Sequence, residues 1–321
     1  MSFTLIGKHE KDPRAMRDAY VNALHDMMAN GDPVVHIDCD LEGCINVGKL
    51  EKEFPKNVYN AGIAEANVVG IAAGMTATGK TVFMHSFGPF ASRRVFDQAF
   101  MSAAYANLPV HIVGSDPGVT AAFNGGTHMP FEDMALYMSV PGAVVIDPTD
   151  YAMLECLTKK LAASEKFSYI RMIRKSFTTV YADGSDFEIG KGVELREGKD
   201  VAIIASGIMV DEALKAAEAL EAEGISAKVV DMFTWKPLDE ALVNKCAAEC
   251  GCIVTAENHQ IGCGLGSAVA NCLIKGKPVP VEMVGVLDRF GQVGPESFLR
   301  EEYNLTANDI VAAVKKAVAR K

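Results

Sequence analysis

The sequence has no run approaching the ~18 apolar residues that a membrane-crossing helix requires. Residues 1–14 carry neither a long apolar core nor a small-residue cleavage site, so a secreted or membrane-bound protein is not expected and the cytoplasm is the expected location. Nor is there a surplus of positive charge. Lys and Arg number 31 against 41 Asp and Glu, and the resulting net charge of −10 argues against a nucleic-acid surface, where clustered cations must meet phosphates. No solenoid-period repeat and no low-complexity tract is present. The eight cysteines are scattered through a large chain, which favours reduced thiols over disulfides. Only Cys246, Cys250 and Cys252 crowd together, with no His at ligand spacing, and buried structural thiols are the simpler reading than a metal site.

What is present is enough for two cores: 321 residues, 49% of them hydrophobic. Short β-rich runs alternate with amphipathic stretches, the pattern of parallel sheets with crossover helices. Apolar positions at Met16, Tyr20, Ala23, Leu24, Met27 and Met28 predict a helix over 14–30 that Asn30-Gly31 stops. Strands are predicted at Val34–Asp38, Thr81–Ser86, Val110–Gly114, Val144–Asp147 and Tyr169–Ile173, with a helix over 62–79. Residues 181–198, polar and rich in Gly and charge, have the composition of a linker. A second series follows: strands at 200–206, 227–232, 252–256 and 281–286, and helices at 210–223 and 307–319. The expected fold is therefore α/β, as two doubly wound, mostly parallel-sheet domains, at 10–185 and 190–321.

Four segments could carry chemistry. Glu65 lies in a helix with almost no polar face between Gly62 and Gly74, where a carboxylate is costly to bury unless something meets it. An ordinary first-turn carboxylate, favoured by the helix dipole, is an equally good reading of the pattern. Phe87 and Phe90, in Ser86-Phe87-Gly88-Pro89-Phe90, would usually be core. His128 follows a Gly pair in Phe123-Asn124-Gly125-Gly126-Thr127-His128 and could shuttle a proton, although a structural His is commoner. Gly262-Cys263-Gly264-Leu265-Gly266 could cradle a phosphate at a helix start, but its spacing departs from the dinucleotide fingerprint, and close helix packing or an interface is favoured.

Taken together and in this order, these segments resemble the C-terminal part of transketolases, from about Arg14 to the chain end. Gly62-Ile63-Ala64-Glu65-Ala66-Asn67 is close to the family's GIAEQN, and the Thr127-His128 loop, Asp288-Arg289-Phe290-Gly291 and Gly264-Leu265-Gly266-Ser267 resemble family segments as well. The resemblance implies thiamine diphosphate as cofactor. Glu65 would hydrogen-bond N1′ of its aminopyrimidine, Phe87 and Phe90 would pack on that ring, and His128 would contact the reacting hydroxyl and carbonyl. Arg17 and Arg174 would bind the substrate's terminal anion, a role suited to a planar bidentate donor. The GDG motif followed by Asn, through which the family's N-terminal half holds diphosphate and Mg2+, is absent; Ala182-Asp183-Gly184 is a linker turn. The resemblance thus implies a split enzyme: no metal site on this chain, an N-terminal transketolase subunit holding the diphosphate and metal, and an α2β2 assembly.

Three substrate-side positions depart from the family. Asp116 replaces a phosphate-binding His, Phe123-Asn124 replaces an acidic pair whose second member meets a substrate hydroxyl, and Cys44 replaces a serine that helps bind phosphate. These departures put ordinary pentose-phosphate substrates in doubt and make Asp116 and Asn124 candidate substrate residues. Competing readings are a β subunit of a 2-oxo-acid dehydrogenase, a deoxyxylulose-phosphate-synthase-like enzyme, or a non-catalytic stabilising or regulatory subunit.

Overall fold

The protein is described by a computed structural model covering residues 2–321. It separates into two units, residues 2–117 with 133–187, and residues 118–132 with 188–321. Among the described residues, no helix is long and apolar enough to cross a membrane.

In the first unit the strands are β1 (Val34–Asp38), β2 (Val58–Asn60), β3 (Thr81–Phe87), β4 (Val110–Ser115), β5 (Val144–Ile146) and β6 (Ser168–Met172). They run in the order β5-β6-β4-β3-β1-β2, all parallel. β1, β4, β5 and β6 are buried at every position, as strands covered on both faces should be. The helix Met16–Ala29 packs its Met16, Ala19, Tyr20, Ala23, Leu24, Met27 and Met28 face inward and lies against the helix Tyr151–Ala162. Asp150 starts that second helix by accepting from Met153 N at 3.0 Å. Its other oxygen takes Val180 N and Tyr181 N, at 2.9 and 2.7 Å.

Those last bonds narrow the linker reading of residues 181–198, within which the division between the two units falls at Phe187/Glu188. Tyr181 and Phe187 are fully buried and pack edge to face, with ring centroids 4.8 Å apart, an ordered contact that a flexible linker would not make. A strand, β7 (Val193–Arg196), also lies inside the segment. Its Val193 and Leu195 alternate inward, a period-2 signal too short to stand out among charged and Gly neighbours.

The second unit adds β8 (Val201–Ala205), β9 (Ala227–Asp231), the short β10 (Thr234–Lys236), β11 (Ile253–Gln260) and β12 (Val281–Val286). Its sheet runs β12-β11-β8-β9-β7, parallel except for β7. β11 continues beyond the predicted end at Ala256 through Glu257, Asn258 and His259, all buried. Their polarity hides the strand, and their partners explain it. Glu257 accepts from Leu265 N and Gly266 N, at 2.7 and 2.8 Å, and so caps the helix Leu265–Lys275. The Gly262–Gly266 segment therefore meets the protein's own carboxylate where a phosphate could have gone.

Candidate active site

In a doubly wound sheet, ligands bind at the carboxyl ends of strands where the winding reverses. In the first unit the chain goes from β1 to β2 on one side and then to β3 on the other, so the reversal lies at β1/β3. Strand register brings Asp38 beside His85, Phe87 beside Ser115, and Ser115 beside Met172 at that end. A buried polar chain fixes this floor. Tyr20 Oη lies 2.9 Å from His36 Nδ1, His85 Nδ1 lies 2.8 Å from Asp38 Oδ2, and His85 Nε2 lies 3.0 Å from Ser115 Oγ. Burial pushes the Asp38 carboxyl up, and the two imidazoles beside it more than reverse this, holding it well below the usual carboxylate range. A cavity of about 740 Å³ beside Val34, Thr81 and Lys159 opens at the opposite, amino ends of β1 and β3.

Glu65 opens the helix Glu65–Ala77 and is 3% exposed. The partner its burial demands is Arg94, whose Nη1 donates to both carboxylate oxygens at 3.0 Å; Ser86 Oγ is 3.4 Å from one of them. The Arg94 guanidinium also lies 4.2 Å from the centre of the Phe90 ring, and Phe90 meets Phe87 edge to face at 6.5 Å. Arg94 is absent from the residues that the sequence suggests. The usable signal is the Arg93-Arg94 pair, just beyond Phe90, in a sequence that buries a carboxylate and must supply a cation.

The same string of contacts continues to the other predicted residues of this unit. Arg174, just beyond β6, lies 4.9 Å from the Phe87 ring. It donates from Nε to Asp116 Oδ2 at 2.6 Å and from Nη2 to the same oxygen. Arg17 donates from Nη1 to the Cys44 carbonyl at 2.6 Å, and among the described residues its buried Nε finds no hydrogen-bond partner. Asp116 follows β4 with φ of 56°, a left-handed conformation that Asp tolerates better than most residues. The Asp116 carboxylate is thus engaged with a guanidinium. Arg171, three residues before Arg174, is a different case: it is fully buried against Asp133, with Nη2–Oδ1 at 2.6 Å, and belongs to the core.

Asn124 and His128 stand in the second unit, on the segment Gly118–Glu132. Gly118 N donates to Pro130 O at 3.0 Å, closing the segment into a loop. Val119 N donates to Asn258 Oδ1, and Gln260 N to Phe131 O, which docks the loop on the carboxyl end of β11. That end is where the second sheet reverses, between β8 and β11. Close approach is required there. A Cβ on Gly126 would fall 2.2 Å from the Gly291 carbonyl oxygen, which ties the loop to the Asp288-Arg289-Phe290-Gly291 turn. His128 Nδ1 lies 2.9 Å from Thr127 Oγ1, and Asn124 is exposed.

Known proteins resemble this chain in sequence and fold. Residues 12–179 match the transketolase pyrimidine-binding domain and residues 190–310 the transketolase C-terminal domain. The chain belongs to the transketolase family. It is 45% identical over 306 residues to the 6-deoxy-6-sulfo-D-fructose transketolase subunit of Clostridium sp. (strain MSTE9), covering 95% of each. It is 34% identical to an apulose-4-phosphate transketolase polypeptide of Phocaeicola vulgatus, over 85% of this chain and 88% of that one. Rat transketolase matches at 33% over 96% of this chain but 50% of its own length. A solved chain described as a split gene transketolase, inactive β4 tetramer, superposes with a TM-score of 0.90 at 42% identity, covering 96% of this chain and 99% of that one. This transketolase-type subunit therefore corresponds to the C-terminal section of a split transketolase, with the α/β architecture of the family.

The family implies thiamine diphosphate, and the residues at β1/β3 fit its aminopyrimidine end: a buried carboxylate beside two aromatic rings. Among the described residues, no group of three or more His, Cys, Asp or Glu is placed to hold a metal ion.

Proposed function

We propose that this chain is the glutamate-bearing subunit of a split transketolase that moves a two-carbon ketol unit from a ketose with a singly charged anionic terminus to an aldose. The carrying observation is the Asp116–Arg174 ion pair. Arg17 and Arg174 contribute two positive charges and Asp116 removes one, so the three groups leave a net charge of +1. That balance suits a sulfonate monoanion and leaves a phosphate dianion undercompensated. The sulfosugar named for the Clostridium relative supports the same reading.

Thiamine diphosphate, when bound, supplies the carbon–carbon bond chemistry. In this chain Glu65 would share one proton with N1′ of the aminopyrimidine through a hydrogen bond. Phe87 and Phe90 would orient the ring and exclude water. His128 would bond the reacting hydroxyl and carbonyl of the sugar, and Asn124 a neighbouring hydroxyl, where an amide can donate as well as accept. Arg17 and Arg174 would hold the terminal anion. The diphosphate and Mg2+ would be held by an N-terminal partner subunit in an α2β2 assembly, so the isolated chain should be inactive. The solved relative described as an inactive β4 tetramer supports this.

The test compares kcat/KM for 6-deoxy-6-sulfofructose and fructose 6-phosphate in the complex of this chain with its partner. We expect the sulfosugar to be preferred by about tenfold or more, equivalent to about 1.4 kcal/mol. Asp116→Asn, which raises the local charge to +2, should shift the ratio toward the phosphosugar. A wild-type preference for fructose 6-phosphate, with mere loss of activity in Asp116→Asn, would refute the charge assignment.

A further inference from the structure

The Glu65 carboxylate already has a partner in this structure. Arg94 Nη1 bonds both oxygens at 3.0 Å, so one nitrogen spans the whole group and is not merely adjacent to it. The guanidinium simultaneously covers Phe90, with its carbon 4.2 Å from the ring centre. Glu65 is 3% exposed while the Arg94 side chain is 45% exposed, so the carboxylate is fixed and the cation covers it from the solvent side. The aminopyrimidine needs the same two surfaces: a carboxylate oxygen for its ring nitrogen and an aromatic face for its plane. A flat, cationic, nitrogen-rich group holds both.

We infer that Arg94 is a built-in occupant of the aminopyrimidine position, which the cofactor displaces on binding. The inference rests on the reading that Glu65 binds that ring. It adds a competition that the fold carries within one chain. While Arg94 sits on Glu65, the charge of the buried carboxylate is balanced and the subunit is stabilised. On cofactor binding Arg94 gives up both the carboxylate and the Phe90 face and swings to solvent, which its exposure and flexible stem allow at small cost. Cofactor affinity is then reduced by the fraction of subunits in which the position is closed. Arg94 acts on the cofactor by vacating, and takes no part in proton transfer.

The experiment measures the dissociation constant of thiamine diphosphate by calorimetry, with Mg2+, in the complex of this chain with its partner subunit. Arg94→Gln removes the charge and shortens the side chain by two atoms, so it should hold neither Glu65 nor the Phe90 face; it should bind cofactor about fivefold more tightly, while the complex without cofactor melts at a lower temperature. Arg94→Lys, which retains a cation, should bind with near wild-type affinity. In a Glu65→Gln background Arg94→Gln should leave affinity unchanged, because the occupant has lost its anchor; a purely structural role for Arg94 would not depend on Glu65. Weaker binding by Arg94→Gln would show that Arg94 stays on Glu65 in the loaded site and would overturn the inference, as would unchanged binding. A separate arm tests the underlying reading. If Glu65→Ala added to Arg94→Gln binds cofactor as tightly as Arg94→Gln alone, the assignment of Glu65 to the aminopyrimidine fails independently of the competition.

Discussion

At the carboxyl ends of β1 and β3 the chain leaves a carboxylate, two aromatic rings and two arginines around one reversal point. At the carboxyl ends of β8 and β11, the equivalent reversal of the second sheet, Asn258 and Gln260 grip the loop Gly118–Glu132 instead. The winding is the same and the use differs. In the first unit, polar groups at the strand ends are arranged in a floor beneath a surface that can accept a ligand. In the second, they bond backbone, so the crevice becomes a socket that holds a loop carrying His128. A doubly wound sheet therefore offers a position, and side chains decide whether a ligand or the protein's own chain fills it.

The largest effect should come from the core beneath the first region. Asp133 and Arg171 are both fully buried, and Tyr169 Oη donates to the same carboxylate at 2.7 Å. Arg171→Met leaves Asp133 uncompensated and should destabilise the protein by about 3–5 kcal/mol, read by urea unfolding. Arg174→Met, only three residues away, should instead cost mainly substrate affinity, because Arg174 is bound to the candidate anion site. Equal stability losses in the two variants would break the distinction between floor and site.

The second region is tested at Gly118, where φ is 53° and a Cβ would lie 2.1 Å from Asn258 Oδ1. Gly118→Ala should loosen the loop, raise amide exchange over residues 119–131 and lower kcat by about tenfold, since small displacements of a reacting group are costly. Thiamine diphosphate affinity should stay at the wild-type value. A drop in cofactor affinity equal to the drop in kcat would mean that the loop serves the cofactor.

A smaller effect separates stability from function by pH. His111 in β4 is fully buried, and burial pushes its imidazole down to about 3 from the ordinary 6.5. Between those values the unfolded chain binds the extra proton, so this contribution is complete above 6.5 and is lost as pH falls. Asp150 opposes it: burial raises its carboxyl to about 6, so the folded state holds the extra proton between the ordinary value near 3.8 and 6, and stability falls as pH rises through that window. His111→Asn should reduce the loss of stability between about pH 7 and about pH 5.5 by about 1 kcal/mol, measured by urea unfolding at both values. An unchanged difference would place the acid sensitivity elsewhere.

Most of the sheet was legible in the sequence, because parallel strands read as largely apolar runs: Val34–Asp38 and Val281–Val286 coincide with their predicted limits. The limits fail where polar residues are buried. Glu257, Asn258 and His259 extend β11 because a helix start and a loop backbone satisfy the first two, and such partners are distant in sequence. Glu65 could be singled out from its apolar helix, and its need for a partner could be stated. Which cation answers that need could not, since Arg93, Arg94 and many other cations were available and only tertiary packing brings Arg94 onto the carboxylate. For the same reason Asp116 read only as a departure from a phosphate-binding His, and its pairing with Arg174 could not be foreseen.

The division between the two regions is tested most sharply by exchange of the thiazolium C2 proton for deuterium in bound thiamine diphosphate, measured in the complex with the partner subunit. If the first region activates the cofactor and the loop of the second serves the sugar, Glu65→Gln should slow exchange by about a hundredfold or more. His128→Ala should leave exchange at the wild-type rate while lowering ketol transfer. Wild-type exchange in Glu65→Gln, or equal slowing in both variants, would overturn the division.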